Sequence, residues 1–158
     1  MASPATSLKT DSQHLDAAQI RSHFTNVRQH SLERLQPLSA EDACVQSMPD
    51  ASPAKWHLAH VTWFFETFVL ERFESHFKPC HAAFRELYNS YYNGIGKQFS
   101  RPDRGLITRP ALFEVVDYRH QVDDRILAVI DQYADQPELL KLIELGLHHE
   151  QQHQELLL

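Results

Sequence analysis

Residues 52–70 read SPAKWHLAHVTWFFETFVL. Ser52 is a good N-cap and Pro53 suits a first helical position, so the sequence predicts a helix from there to about Phe73. Trp56, Leu58, Val61, Trp63, Phe64, Phe65, Phe68, Val69 and Leu70 cover most of its circumference, the pattern of a helix buried on nearly all sides. Such a helix needs cover.

Upstream, Ile20, Phe24, Val27 and Leu35 recur at helical spacing between about Asp16 and Leu35, marking an amphipathic helix. A linker follows, with Pro37 at its start and Ser39 and Asp42 spaced like a short capped turn, and it continues through Met48-Pro49-Asp50. Downstream, Phe77 to Pro110 is a long loop containing the aromatic segment YNSYYNGIG; long loops are often functional. A third helix is predicted from near Pro110, with a stripe through Leu112, Val115, Val116, Val122, Ile126, Val129 and Tyr133. Asp135 to Glu138 has the spacing of a D-x-x-E capping box with Pro137 in the first turn, opening a fourth helix that runs as LLKLIELGLHHEQQHQELLL to the last residue. The fold expected is all-α: a four-helix bundle with a long loop between helices 2 and 3, in which facing side chains build any metal site.

The 158 residues fit one domain over 16–158, behind a polar lead-in at 1–15 that is expected to be disordered and lacks the apolar stretch of a secretory signal. With 42% hydrophobic and 23% charged residues, the chain has ordinary globular composition and no apolar run long enough for a membrane span. A net charge of −6 with no basic run argues against nucleic acid. Cys44 and Cys80 form neither a disulfide framework nor a zinc-type spacing, which reads as a reducing, cytoplasmic protein.

His149 and His153 are four apart, so on a helix both imidazoles lie on one face and can reach one ion. Taken alone, such a pair is more often two satisfied or surface imidazoles than a ligand pair. Here it continues the inward row through Leu142 and Gly146, and Gly146 is expected to leave room beside it. A buried pair needs a partner, and a metal with a third ligand supplies one. His60, on the row Trp56, His60, Trp63, is the preferred third ligand, but His57 one turn earlier remains open on spacing alone. His14, His23, His30, His76, His81 and His120 show no such spacing and are read as surface residues.

The pentad from His149 to His153 also matches H-E-x-x-H, the zinc-protease helix with a glutamate base. That reading is rejected: those enzymes take a third ligand downstream, where the only carboxylate is Glu155 and there is no histidine. Three imidazoles on one side of an ion leave positions open, a catalytic type of site, but do not choose among iron, zinc, nickel and copper.

Together, SPAKWHLAHVTWFFETFVL, NSYY and LGLHHEQQHQELLL resemble the ergothioneine-biosynthesis sulfoxide synthases, specifically their N-terminal DinB-like helical domain, from about His23 to the last residue. The resemblance implies a mononuclear non-haem iron(II) centre held by His60, His149 and His153, choosing His60 over His57. It implies oxygen-dependent joining of a cysteine or γ-glutamylcysteine sulfur to the imidazole carbon of hercynine, the trimethylated betaine of histidine. Gln152 matches a family position near the hercynine site, and Arg101 and Arg104 resemble the arginines that hold the carboxylates of the thiol substrate. Tyr91 and Tyr92 are either pocket lining or packing residues.

Family members continue into a second domain resembling formylglycine-generating enzymes, with a catalytic tyrosine. Its absence here leads us to expect a truncated unit, and would explain the over-apolar second helix and the uncapped fourth. Competing readings are a selenoneine synthase differing in its chalcogen donor, a DinB-like metal-dependent thiol transferase or isomerase using zinc or nickel, and a non-catalytic metal-binding module needing a partner chain.

Overall fold

The computed structural model describes residues 15–158 and is all-helical, with no strand among the described residues. Of the lead-in expected over 1–15, only Leu15 falls within the described residues, where it packs partly buried against the core. Four long helices make the body. Helix α1 spans Ala17–Leu35. Helix α2 spans Ala54–Phe64 and runs on through a π-helical Phe65–Leu70 into a last turn, Glu71–Phe73. Helices α3 and α4 span Leu112–Gln132 and Pro137–Glu155. In packing, α1 lies chiefly against α4, and α2 against α3.

The helix starts separate local from non-local chemistry. Asp16 caps α1 by a reciprocal box, its carboxylate accepting from the Gln19 N–H at 2.8 Å while the Gln19 side chain accepts from the Asp16 N–H at 2.9 Å. The same exchange joins Ser39 and Asp42, as their spacing predicts. The two other predicted caps are corrected. Ser52 does not cap α2; its hydroxyl accepts from Arg104 Nη1 at 2.9 Å instead. Asp135 does not cap α4, which starts at Pro137 behind Gln136, and Glu138 pairs with Arg72 at 2.5 Å.

The expectation that another domain must cover α2 is also corrected. Trp56, Leu58, Val61, Trp63, Phe64, Phe65, Val69 and Leu70 are all buried by this chain. The long connection to α3 supplies part of the cover. It holds a short helix, Phe84–Leu87, and a 3-10 segment, Arg101–Leu106. The buried Lys55 ammonium of α2 staples its far end by donating to the carbonyls of Ile107 at 3.0 Å and Pro110 at 2.9 Å. Asn89, fully buried, donates to the carbonyls of Tyr92, Gly96 and Lys97, closing the aromatic segment on itself.

One polar network crosses this apolar interior. Glu150 of α4 is fully buried and accepts from Arg119 of α3, from Arg28 of α1 at 2.9 Å and from Ser31 of α1 at 2.5 Å. Arg28 also donates to Asp123 at 2.6 Å and to Thr62 of α2 at 3.0 Å. Two cations thus meet two carboxylates, and every long helix contributes a member. Burial pushes the Glu150 carboxyl up, but Arg119 and Arg28 outweigh it and hold the group down at about 2. Removing one charge from such a cluster strands its buried partners. Glu150→Gln should therefore lower the unfolding free energy by about 3–5 kcal/mol in urea denaturation; a loss below about 1 kcal/mol would mean that the network does not anchor the bundle.

Candidate metal centre

His60 lies midway along α2, where its neighbours on the same face fix the ring. Trp56 stacks on it with centroids 4.6 Å apart and planes 11° apart, and Trp63 stacks at 5.5 Å and 17°. Its Nδ1 donates to the Tyr88 carbonyl at 2.6 Å, which leaves the Nε2 lone pair free and pointed toward α4. The stack extends outward: the Arg104 guanidinium sits 3.5 Å from the Trp56 ring centroid, a close cation–π contact.

Helix α4 brings the other two imidazoles. His149 Nε2 is 3.2 Å from His60 Nε2 and 3.1 Å from His153 Nε2. The approach of α2 and α4 depends on Gly146, where a Cβ would stand 2.6 Å from Cε1 of Phe65 and 3.0 Å from Cε1 of Phe64. The space at Gly146, read in the sequence as room beside the histidines, is thus filled by two rings of α2. The π-helical turn that starts at Phe65 widens the helix at this contact, a distortion common near functional sites.

His60, His149 and His153 can hold a metal ion, their candidate donor atoms lying within 4.8 Å of one another. The donor set fits. Imidazole nitrogens about 2.0–2.1 Å from one ion stand roughly 3.0–3.4 Å apart when they occupy adjacent positions, which matches both Nε2 separations here. Burial pushes His149 down to about 4; burial with the neighbouring charges of His149 and His57 pushes His153 down to about 3, and His60 falls well below its ordinary value. All three are neutral at pH 7, as ligands must be. His57 is not in the triad; its Nδ1 contacts the far side of His153, at Nδ1, 2.7 Å away.

The triad opens into a cavity of about 540 Å³ lined also by His57, Arg101, Arg104, Gln152, Tyr91 and Tyr92. The three residues singled out in the sequence beside the histidines therefore share one space with them. Arg104 is buried, held by Ser52 and by Ser90 at 3.1 Å, with its Nε unpartnered, and neither it nor Arg101 forms a carboxylate pair among the described residues. Burial, with Arg101 nearby, lowers Arg104 to about 10, still cationic at neutral pH. Arg101 is half-buried, bonded to the Tyr91 hydroxyl and lying over its ring at 5.0 Å. Glu150, one residue from His149, is spent on Arg28 and Arg119 and does not line this cavity, so a glutamate-base mechanism fails on geometry as well as on sequence.

The sequence patterns alone did not mark Ser90, nor the hydroxyl of Ser52 as a partner of Arg104. A serine serving an arginine many residues away leaves no local signature.

The family model of the DinB superfamily matches residues 23–157. The chain belongs to the DinB superfamily. No curated protein matches its sequence. As a DinB superfamily domain it has a three-histidine site, and no helix of the described residues is long and apolar enough to cross a membrane.

Anaerobic iron(II) titration of this DinB domain by calorimetry should show near-stoichiometric binding, lost when His60, His149 or His153 is changed to alanine. Because the ligands are already neutral, the heat at pH 7 should not depend on the ionisation enthalpy of the buffer, and affinity should fall only as pH drops toward about 4. Strong buffer dependence at pH 7 would contradict the neutral triad.

Proposed function

We propose that this chain is the metal-binding domain of an iron(II)- and oxygen-dependent sulfoxide synthase of ergothioneine biosynthesis, joining the thiol of cysteine or γ-glutamylcysteine to hercynine. The observation that carries the reading is one cavity lined by three converging imidazoles and by two guanidinium groups that have no carboxylate partner among the described residues. A metal-directed thiol that also carries carboxylate needs both. Arg104 and Arg101 would hold its carboxylate by charge-assisted hydrogen bonds, and Gln152, on the outer side of the triad, would orient hercynine.

The overall conversion takes a thiol, the hercynine C–H and one O₂ to a sulfoxide and one water, with the S–H and C–H bonds breaking and the C–S and S–O bonds forming. Bound iron(II) would supply the redox chemistry with oxygen. The residues of this chain would hold the thiol sulfur near the imidazole carbon, and Trp56 and His60, the latter backed by Trp63, form a rigid, water-poor wall. The reading also calls for a second domain of formylglycine-generating-enzyme type, in the same protein or in trans, and for a reducing, cytoplasmic setting in which Cys44 and Cys80 stay unpaired as they are here. A selenoneine synthase would use the same walls with a selenium donor.

A second reading is a metal-dependent thiol transferase or isomerase using zinc or nickel. Superfamily membership and a donor set that does not choose its metal favour it. A binding module completed by another chain is a third. Oxygen uptake separates them. The iron(II)-loaded chain with the second domain in trans should consume oxygen and form a sulfoxide, detected by mass spectrometry, only when both hercynine and thiol are present. Arg104→Gln should raise the KM for the thiol by about 10–100-fold, the loss of a charge-assisted contact. No oxygen uptake with any thiol donor, together with thiol transfer by the zinc form, would replace the synthase with the transferase.

A further inference from the structure

His57 stands one turn before His60 on α2 and takes no part in the triad, yet its Nδ1 lies 2.7 Å from Nδ1 of His153. Two ring nitrogens that close share a proton, and a neutral imidazole carries only one. The opposite edge of His153 decides where it sits. His153 Nε2 lies 3.1 Å from His149 Nε2, on the side where the three rings converge, and as a ligand it must present a lone pair there. The proton of neutral His153 is then on Nδ1, and His57 accepts it.

We propose that His57 is a positioning residue for the metal centre: by accepting the Nδ1–H of His153 it fixes the tautomer and ring angle that leave Nε2 free for the ion. The proposal rests on the three-histidine metal reading. The other two ligands show why the contact matters. His60 is held by the Tyr88 carbonyl and by tryptophans on both faces, whereas His149 Nδ1 is buried without a partner and its ring is held by packing on Phe64 at 4.8 Å. Without His57, two of the three ligands would lack a hydrogen bond on the far nitrogen. Water is a poor substitute, since His57 is itself only 8% exposed. Partners of this kind orient metal-binding histidines and raise their basicity.

Two readouts test the role without activity. In the metal-free protein, nitrogen-15 spectra of the histidines should find His153 protonated on Nδ1. Cobalt(II) titration, followed by visible absorption, should show affinity falling about 10–100-fold in His57→Phe, which keeps the ring and removes the acceptor. His57→Asn, whose amide oxygen stands near the Nδ1 position, should recover most of the loss. If the Phe variant fails to fold, His57→Gln, whose amide lies beyond that position, carries the same expectation. A His153 proton on Nε2, or wild-type affinity in a folded His57→Phe, would overturn the proposal. If the wild-type protein bound no cobalt(II) or iron(II), the metal reading itself would fail, and the metal-free spectrum would still decide whether His57 is the acceptor.

Discussion

The carboxylate of Glu150 meets the guanidinium groups of Arg28 and Arg119, all three residues being buried, and this contact sets the rotation of α4. A buried carboxylate between two cations has one satisfactory orientation, because turning it away would leave its own charge and that of Arg119 unpaired in low dielectric, with Arg28 keeping only Asp123. Helix geometry does the rest. With Glu150 aimed at α1 and α3, His149 and His153 face α2. The anchor and the site are thus opposite consequences of one helix angle.

The second constraint is distance. Gly146 lets Phe64 and Phe65 pack against the backbone of α4, and the imidazole nitrogens of the two helices close to 3.2 Å. On the α2 side, Arg104, Trp56, His60 and Trp63 form a four-layer stack. That stack links the two walls of the cavity: the cation that would bind an anionic substrate and the imidazole that would bind metal rest on opposite faces of the same indole. A pre-organised site of this kind loses little entropy when its ligands arrive.

Much of this was legible in the sequence because the signals are local. The apolar periodicities of Ile20 to Leu35 and Val115 to Val129 gave helices close to those observed, and the i,i+4 spacing of His149 and His153 placed both on one face. The misreadings fall where local cap chemistry does not decide. Ser52 and Asp135 have the chemistry of caps, but Ser52 has a partner in Arg104 from a distant segment, and α4 starts without side-chain capping. The choice between His57 and His60 depends on how α2 turns against α4, which spacing on α2 does not encode. Nor could the glutamate of H-E-x-x-H be assigned to Arg28 and Arg119, which lie 122 and 31 residues away along the chain. Charge pairs across a bundle follow from packing and carry no local pattern.

Every role assigned to the cavity depends on one ion sitting among His60, His149 and His153. The most direct test is a crystal structure of the iron(II)-loaded protein grown without oxygen, with the anomalous signal recorded on both sides of the iron edge. A single edge-dependent peak is expected, bonded to Nε2 of all three histidines at about 2.0–2.1 Å, the usual range for imidazole on zinc. A peak coordinated by His57 in place of His60, or bound only at surface carboxylates, would contradict it.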